Sequence, residues 1–166
     1  MIQIPDKTLA QAASKGMDEF LKTFTDAYLS AVGSNLNVDA MDKLNAYQHT
    51  LLAYRFLSDE INEGGFVQLI QNGYGGYIFG NPVAKALKLF GAVEMGKLLY
   101  KAKEIYEVHR ERLERETSDD EFMAMYEEFE AFDDLEEQFF TIEEETTATI
   151  ARFVDENLSE FARVTY

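Results

Sequence analysis

Apolar residues recur along this chain at steps of three and four, the spacing of one face of an α-helix. Phe20, Phe24, Ala27 and Ala31 predict a first helix from about Thr8 to Ala31, ended by Gly33-Ser34-Asn35. Met41, Leu44, Tyr47, Leu51, Tyr54, Leu57 and Ile61 predict a second, capped by Asn37 and reaching about Asn62. Gly64-Gly65 interrupts the pattern, Phe66–Gln71 makes a short helical piece, and Tyr74–Gly80 reads as an aromatic, Gly-rich loop. Asn81-Pro82 restarts a helix, with Asn81 as cap and proline at the first helical position. A long helix follows over about Ala92–Glu116, its inward positions including Met95, Leu98, Leu99, Tyr106, His109 and Leu113. Glu111/Arg115 and Arg112/Glu116 are spaced for i,i+4 pairs on its outer face.

Two S/T-x-x-E capping boxes, Ser118–Glu121 and Thr141–Glu144, predict helix starts in the last third. Phe122, Met125, Tyr126, Phe129 and Phe132 continue the first, with Leu135, Phe139 and Phe140 following. Ile150, Phe153, Val154, Leu158 and Phe161 line the final helix. No linker or internal repeat separates these segments. The expectation is an all-α fold, one domain over residues 1–166 with roughly seven helices and no sheet of consequence.

Composition narrows what such a fold does. The chain has 166 residues, 46% hydrophobic, enough to bury a core in spite of a net charge of −16. It has no cysteine, which excludes disulfides, thiolate metal sites and cysteine nucleophiles. Neither a signal peptide nor an apolar run of roughly 20 residues is visible, so a cytoplasmic protein without a membrane span is expected. The charge is unevenly placed. Residues 85–115 carry a net +3, whereas residues 116–166 carry seventeen acids against Arg152 and Arg163. Such a surface repels nucleic acid and anionic lipid and attracts basic proteins.

The pattern offers no catalytic constellation. His49 and His109 are the only histidines, neither in H-E-x-x-H, and no G-x-S-x-G elbow occurs. Gly73-Tyr74-Gly75-Gly76-Tyr77 matches no phosphate-binding loop, and tight turns account for its glycines. Asp119-Asp120 lacks the spacing of a calcium loop. No catalytic residue, metal or cofactor is therefore expected.

What remains is the acidity itself: thirteen acids and no lysine or arginine between Asp119 and Glu145. A 12-residue acidic helix spans ~18 Å, a length over which duplex DNA shows about ten phosphates. Two such helices approach the charge density of DNA. The expected partner face comprises Asp119, Asp120, Glu121, Glu127, Glu128, Glu130, Asp133, Asp134, Glu136 and Glu137, with Phe122, Tyr126, Phe129 and Phe139 turned inward. A solvated, merely solubilising helix face is the competing reading.

The segment Glu60-Ile61-Asn62-Glu63-Gly64-Gly65-Phe66-Val67-Gln68-Leu69-Ile70-Gln71-Asn72 adds a second line of argument. It resembles the E-x-x-N-G-G-F-x-Q-x-x-x-N signature of the bacterial DNA mimic protein nineteen family. The resemblance continues through Ala86-Leu87, Gly91-Ala92 and Leu135–Phe140 and covers roughly residues 44–163. Glu63 departs from it, standing where the family commonly has Asn. The resemblance implies an all-helical fold, a homodimer and, for the member that gave the family its name, occupation of a transcription factor's DNA-binding surface. The expected partner is thus a basic transcription factor or other DNA-binding protein, while the net charge argues against direct binding of nucleic acid. The motif residues Glu60, Asn62, Gly64, Gly65, Phe66, Gln68 and Asn72 read as architecture: the glycines permit a sharp helix junction, and Gln68 and Asn72 can satisfy loose backbone groups. The alternative is an interaction or small-ligand module using the Glu60–Tyr77 region.

Overall fold

The computed structural model describes residues 1–33 and 38–166. Among these the chain is all-α apart from one short pair of strands. In order, the elements are β1 (Gln3–Pro5), α1 (Asp6–Ala13), α2 (Met17–Val32), α3 (Val38–Met41), α4 (Ala46–Gln71), α5 (Gly75–Phe79), α6 (Val83–Leu89), α7 (Val93–Glu114), α8 (Asp119–Glu128), a 3-10 turn (Glu130–Phe132), α9 (Asp133–Glu156), α10 (Leu158–Phe161) and β2 (Arg163–Thr165). The chain divides into two compact units, residues 1–55 with 145–166 and residues 56–144.

In the first unit β1 and β2 pair in parallel, Ile4 opposite Val164. Phe24, Tyr28, Leu51, Leu52, Ile150, Val154 and Phe161 fill its core. The Tyr28 hydroxyl and the Gln48 amide both donate to the Phe161 carbonyl, at 2.7 and 3.0 Å, so these buried polar groups are paired. The expected first helix is two helices. Gly16, at φ 141°, separates α1 from α2 in a conformation that a residue with a Cβ rarely adopts. The proposed cap Asn37 lies outside the described residues. The cap of α4 is Asn45, which exchanges side-chain and backbone hydrogen bonds with Gln48 at 2.8 and 2.9 Å, a capping box with an amide pair.

The second unit packs α5 to α8 and the adjoining parts of α4 and α9 around Leu69, Leu87, Leu98, Ala102, Leu113, Met125 and Phe139. Phe66 is its aromatic centre, stacked on Phe132 at 5.2 Å and 6.4 Å from Phe79. Four expectations need correction here. Tyr74–Gly80 is not a loop: residues 75–79 form α5, because burying Ile78 and Phe79 outweighs the poor helix propensity of glycine. Asn81 does not cap α6, since its amide donates back to the Tyr77 carbonyl at 2.9 Å. His109 is exposed, because the backbone leaves helical geometry there (φ −114°, ψ 18°), and its ring meets Phe129 edge-on at 5.3 Å. Arg115 is the extended residue ending α7, so the expected outer pairs give way to Arg110–Glu114 within the helix and Arg112–Glu128 between α7 and α8. Among the described residues, no helix is long and apolar enough to cross a membrane.

Candidate protein-binding face and the glycine motif

The glycine motif is a break inside α4. Gly64 completes the incoming turns, and Gly65 takes φ 79° and ψ −171°, a region essentially reserved for glycine. Helical geometry resumes at Phe66, whose N–H has no carbonyl four residues back in helical register. The Glu136 carboxylate accepts that N–H at 2.8 Å. Glu136 thus performs from α9 the task that a capping side chain performs at an ordinary helix start. A Cβ on Gly65 would overlap this carboxylate, so the glycine is required both for its backbone angles and for its bareness. The Tyr126 hydroxyl donates to the Gly64 carbonyl at 2.8 Å, closing the other side of the break.

The remaining polar motif residues have partners within the second unit. One oxygen of Glu60 accepts the side-chain amides of Gln68 and Asn72, each at 2.9 Å, and so clips the two sides of the break together. The amides therefore pair with a motif carboxylate and not with loose backbone groups, which corrects the sequence expectation. The Asn62 amide donates to the Ser58 carbonyl at 2.7 Å and to Glu143 at 2.6 Å. Phe66 is fully buried. Asn62 and Asn72 are exposed, but their amides, like the half-buried Gln68 and Glu60, are engaged with one another or with neighbouring groups of the same unit.

Burial raises the Glu136 pKa, the nearby Asp133 charge raises it further, and the Phe66 N–H opposes both. Burial likewise raises that of the Tyr126 hydroxyl, with Glu136 adding to the shift.

The acidic segment divides by environment. Asp119, Asp120, Glu127, Glu130, Asp133, Asp134 and Glu137 are exposed on α8, the 3-10 turn and the first turns of α9. Glu121 is exposed but engaged: its carboxylate accepts the Ser118 N–H at 3.4 Å while Ser118 Oγ accepts the Glu121 N–H at 3.3 Å, the capping box expected at this site. That pairing with Ser118 holds the Glu121 carboxyl below its ordinary range. Glu128 is held by both Arg112 Nε and Nη2, at 3.1 and 2.6 Å, which offsets its charge. Glu136 is half-buried on the motif and leaves the outward set. Its covered position could have been read from its helical spacing to Phe139 and Glu143, but its bond to the Phe66 N–H could not.

Beneath the carboxylates, Phe129, Phe132 and Phe139 are buried, while Phe122 and Tyr126 are half-buried and meet edge to face at 5.4 Å. Thr141 caps nothing. Helix α9 runs unbroken through it, and its hydroxyl donates to the Glu137 carbonyl at 3.1 Å. The outward stripe of α9 in this unit reads Asp133, Asp134, Glu137, Phe140, Thr141 and Glu144, with Phe140 as an exposed ring among acids. Among the described residues, no group of three or more His, Asp or Glu is placed to hold a metal ion.

The model of the family described as DMP19-like protein matches residues 42–157. The match spans both the broken helix and the acidic segment. The chain is also similar to the DNA mimic protein DMP19 of Neisseria meningitidis serogroup B, at 32% identity over 145 residues, 87% of each chain. On both grounds, the chain belongs to the DMP19-like family.

Proposed function

We propose that this protein is a DNA mimic, binding a basic DNA-binding protein through the carboxylates of α8, the 3-10 turn and the first turns of α9. The observation that carries the reading is the exposed set Asp119, Asp120, Glu127, Glu130, Asp133, Asp134 and Glu137, in a stretch without lysine or arginine. Buried aromatic side chains anchor these helices, so the charges sit on fixed elements and the partner meets a preorganised polyanion. Helix α8, ten residues long, rises ~15 Å, comparable to about nine phosphates of a duplex. Similarity to a protein named as a DNA mimic supports the same reading.

The function is binding rather than turnover. The motif's side chains serve the helix break, and the charge that selects a partner lies on exposed faces beside it. A homodimer would present two such faces to a partner, doubling the contact through effective concentration. The experiment is capture of partners from native lysate on immobilised protein, eluting with a salt gradient and then with duplex DNA. Release of a DNA-binding protein by both is the expected result. Partners that resist salt and ignore DNA would contradict the proposal.

A further inference from the structure

A second feature of opposite sign lies in the same unit. Residues 81–103 hold five lysines (Lys85, Lys88, Lys97, Lys101 and Lys103) and a single acid, Glu94, in a chain whose net charge is −16. A cleft of about 150 Å³ opens there between the α5–α6 junction and α7. Its walls are apolar at Phe79, Pro82 and Leu99 and polar at Lys85, Tyr100 and Lys103, and no carboxylate lines it.

The geometry of the wall is set by close packing. A Cβ on Gly96 would overlap the Lys88 stem and the Ala84 carbonyl, so α6 and α7 approach closely at that glycine. The approach carries the Lys88 ammonium over the Tyr100 ring, 4.7 Å from its centroid. Glu107 reaches Lys103 at 3.7 Å, but Glu107 is largely exposed and Lys103 partly so, and such a pair is easily exchanged for another anion.

We propose that this cleft is a binding site for a small organic anion: a carboxylate or phosphate carried on an apolar body about the size of one aromatic ring. A volume of about 150 Å³ accommodates a benzene-sized group. Lys85 and Lys103 hold the anionic head, and Leu99, Phe79 and Tyr100 receive the body. The site is separate from the acidic face, and its test is independent of DNA mimicry.

The probe is benzoate, titrated into isotope-labelled protein and followed by NMR, with benzyl alcohol as its neutral counterpart and inorganic phosphate as a head without a body. Saturable shifts centred on Leu99, Tyr100 and Lys103 are expected, with Kd on the order of millimolar for so small a ligand. Benzyl alcohol and phosphate alone should each bind at least about tenfold more weakly, and K85Q/K103Q should weaken benzoate by at least about tenfold, the loss that follows removal of a charged partner. Lys85 is exposed and Lys103 half-exposed, and the variant's far-UV spectrum should match the parent's. The proposal is overturned by an absence of saturable shifts at these residues, by benzyl alcohol binding as well as benzoate, or by undiminished benzoate binding to the folded variant.

Discussion

Replacing Gly65 with alanine tests the reading of the family motif as a built helix break. The substitution meets two costs. Alanine must adopt φ 79° with ψ −171°, which costs about 1–3 kcal/mol for a residue with a Cβ. The new methyl group also occupies the position of the Glu136 carboxylate, which must withdraw and leave the Phe66 N–H without its acceptor, for a further ~1–3 kcal/mol. The sum, about 2–6 kcal/mol, is a large share of the ~5–15 kcal/mol that stabilises an ordinary domain. In urea, followed by far-UV circular dichroism and tyrosine fluorescence, the midpoint should fall by roughly 1–3 M. Gly76→Ala is the control, because a Cβ there meets no atom within 4 Å and α5 is already helical. It should be neutral or stabilising by up to ~1 kcal/mol. In the Glu136→Ala background, Gly65→Ala should cost less than in the parent, since the clash and the lost bond are already absent. A G65A protein within about 0.5 kcal/mol of the parent, or costs that add fully with E136A, would refute the argument.

Glu136 itself should show a pH signature. Its folded-state pKa lies above that of the unfolded chain, so between the two values the folded protein holds more protons and stability falls as pH rises. E136Q, whose amide oxygen can still accept the Phe66 N–H, should flatten that slope in urea titrations across mildly acidic pH, whereas E136A should lose about 1–3 kcal/mol throughout. An unchanged slope in E136Q would contradict the assignment. Ser118→Ala should cost about 0.5–2 kcal/mol by removing the capping oxygen of α8. Hydrogen exchange should localise the loss to that helix's first turn, and uniform protection would count against it.

The helices were legible because their apolar stripes bury almost as periodicity requires: Phe24, Leu51, Leu57, Ile61, Leu98 and Ile150 are all in the core. What was not legible depended on contacts distant in sequence or on local signals with two meanings. Thr141–Glu144 fits a helix start by composition, yet the same spacing occurs inside a continuous helix, and only the chain upstream decides. Gly75-Gly76 reads as loop until Phe79 is given Phe66 and Tyr106 to pack on. Among so many acids, the role of Glu136 rests on a partner 70 positions earlier. The glycine motif showed where the helix breaks, but its amides waited on the structure to show that Glu60 receives both.

The central claim is that fixed, exposed carboxylates stand in for phosphates. It is tested most directly by titrating a captured DNA-binding partner with the parent and with a variant in which Asp119, Asp120, Glu127, Glu130, Asp133, Asp134 and Glu137 are changed to Asn and Gln. Glu121, Glu128 and Glu136 are left intact, because they serve the cap, the Arg112 pair and the helix break. The parent should bind with an affinity that falls as salt rises, and duplex DNA should compete with it. The variant should remain helical and lose binding. Equal affinities for the two proteins, or an affinity indifferent to salt, would contradict the account.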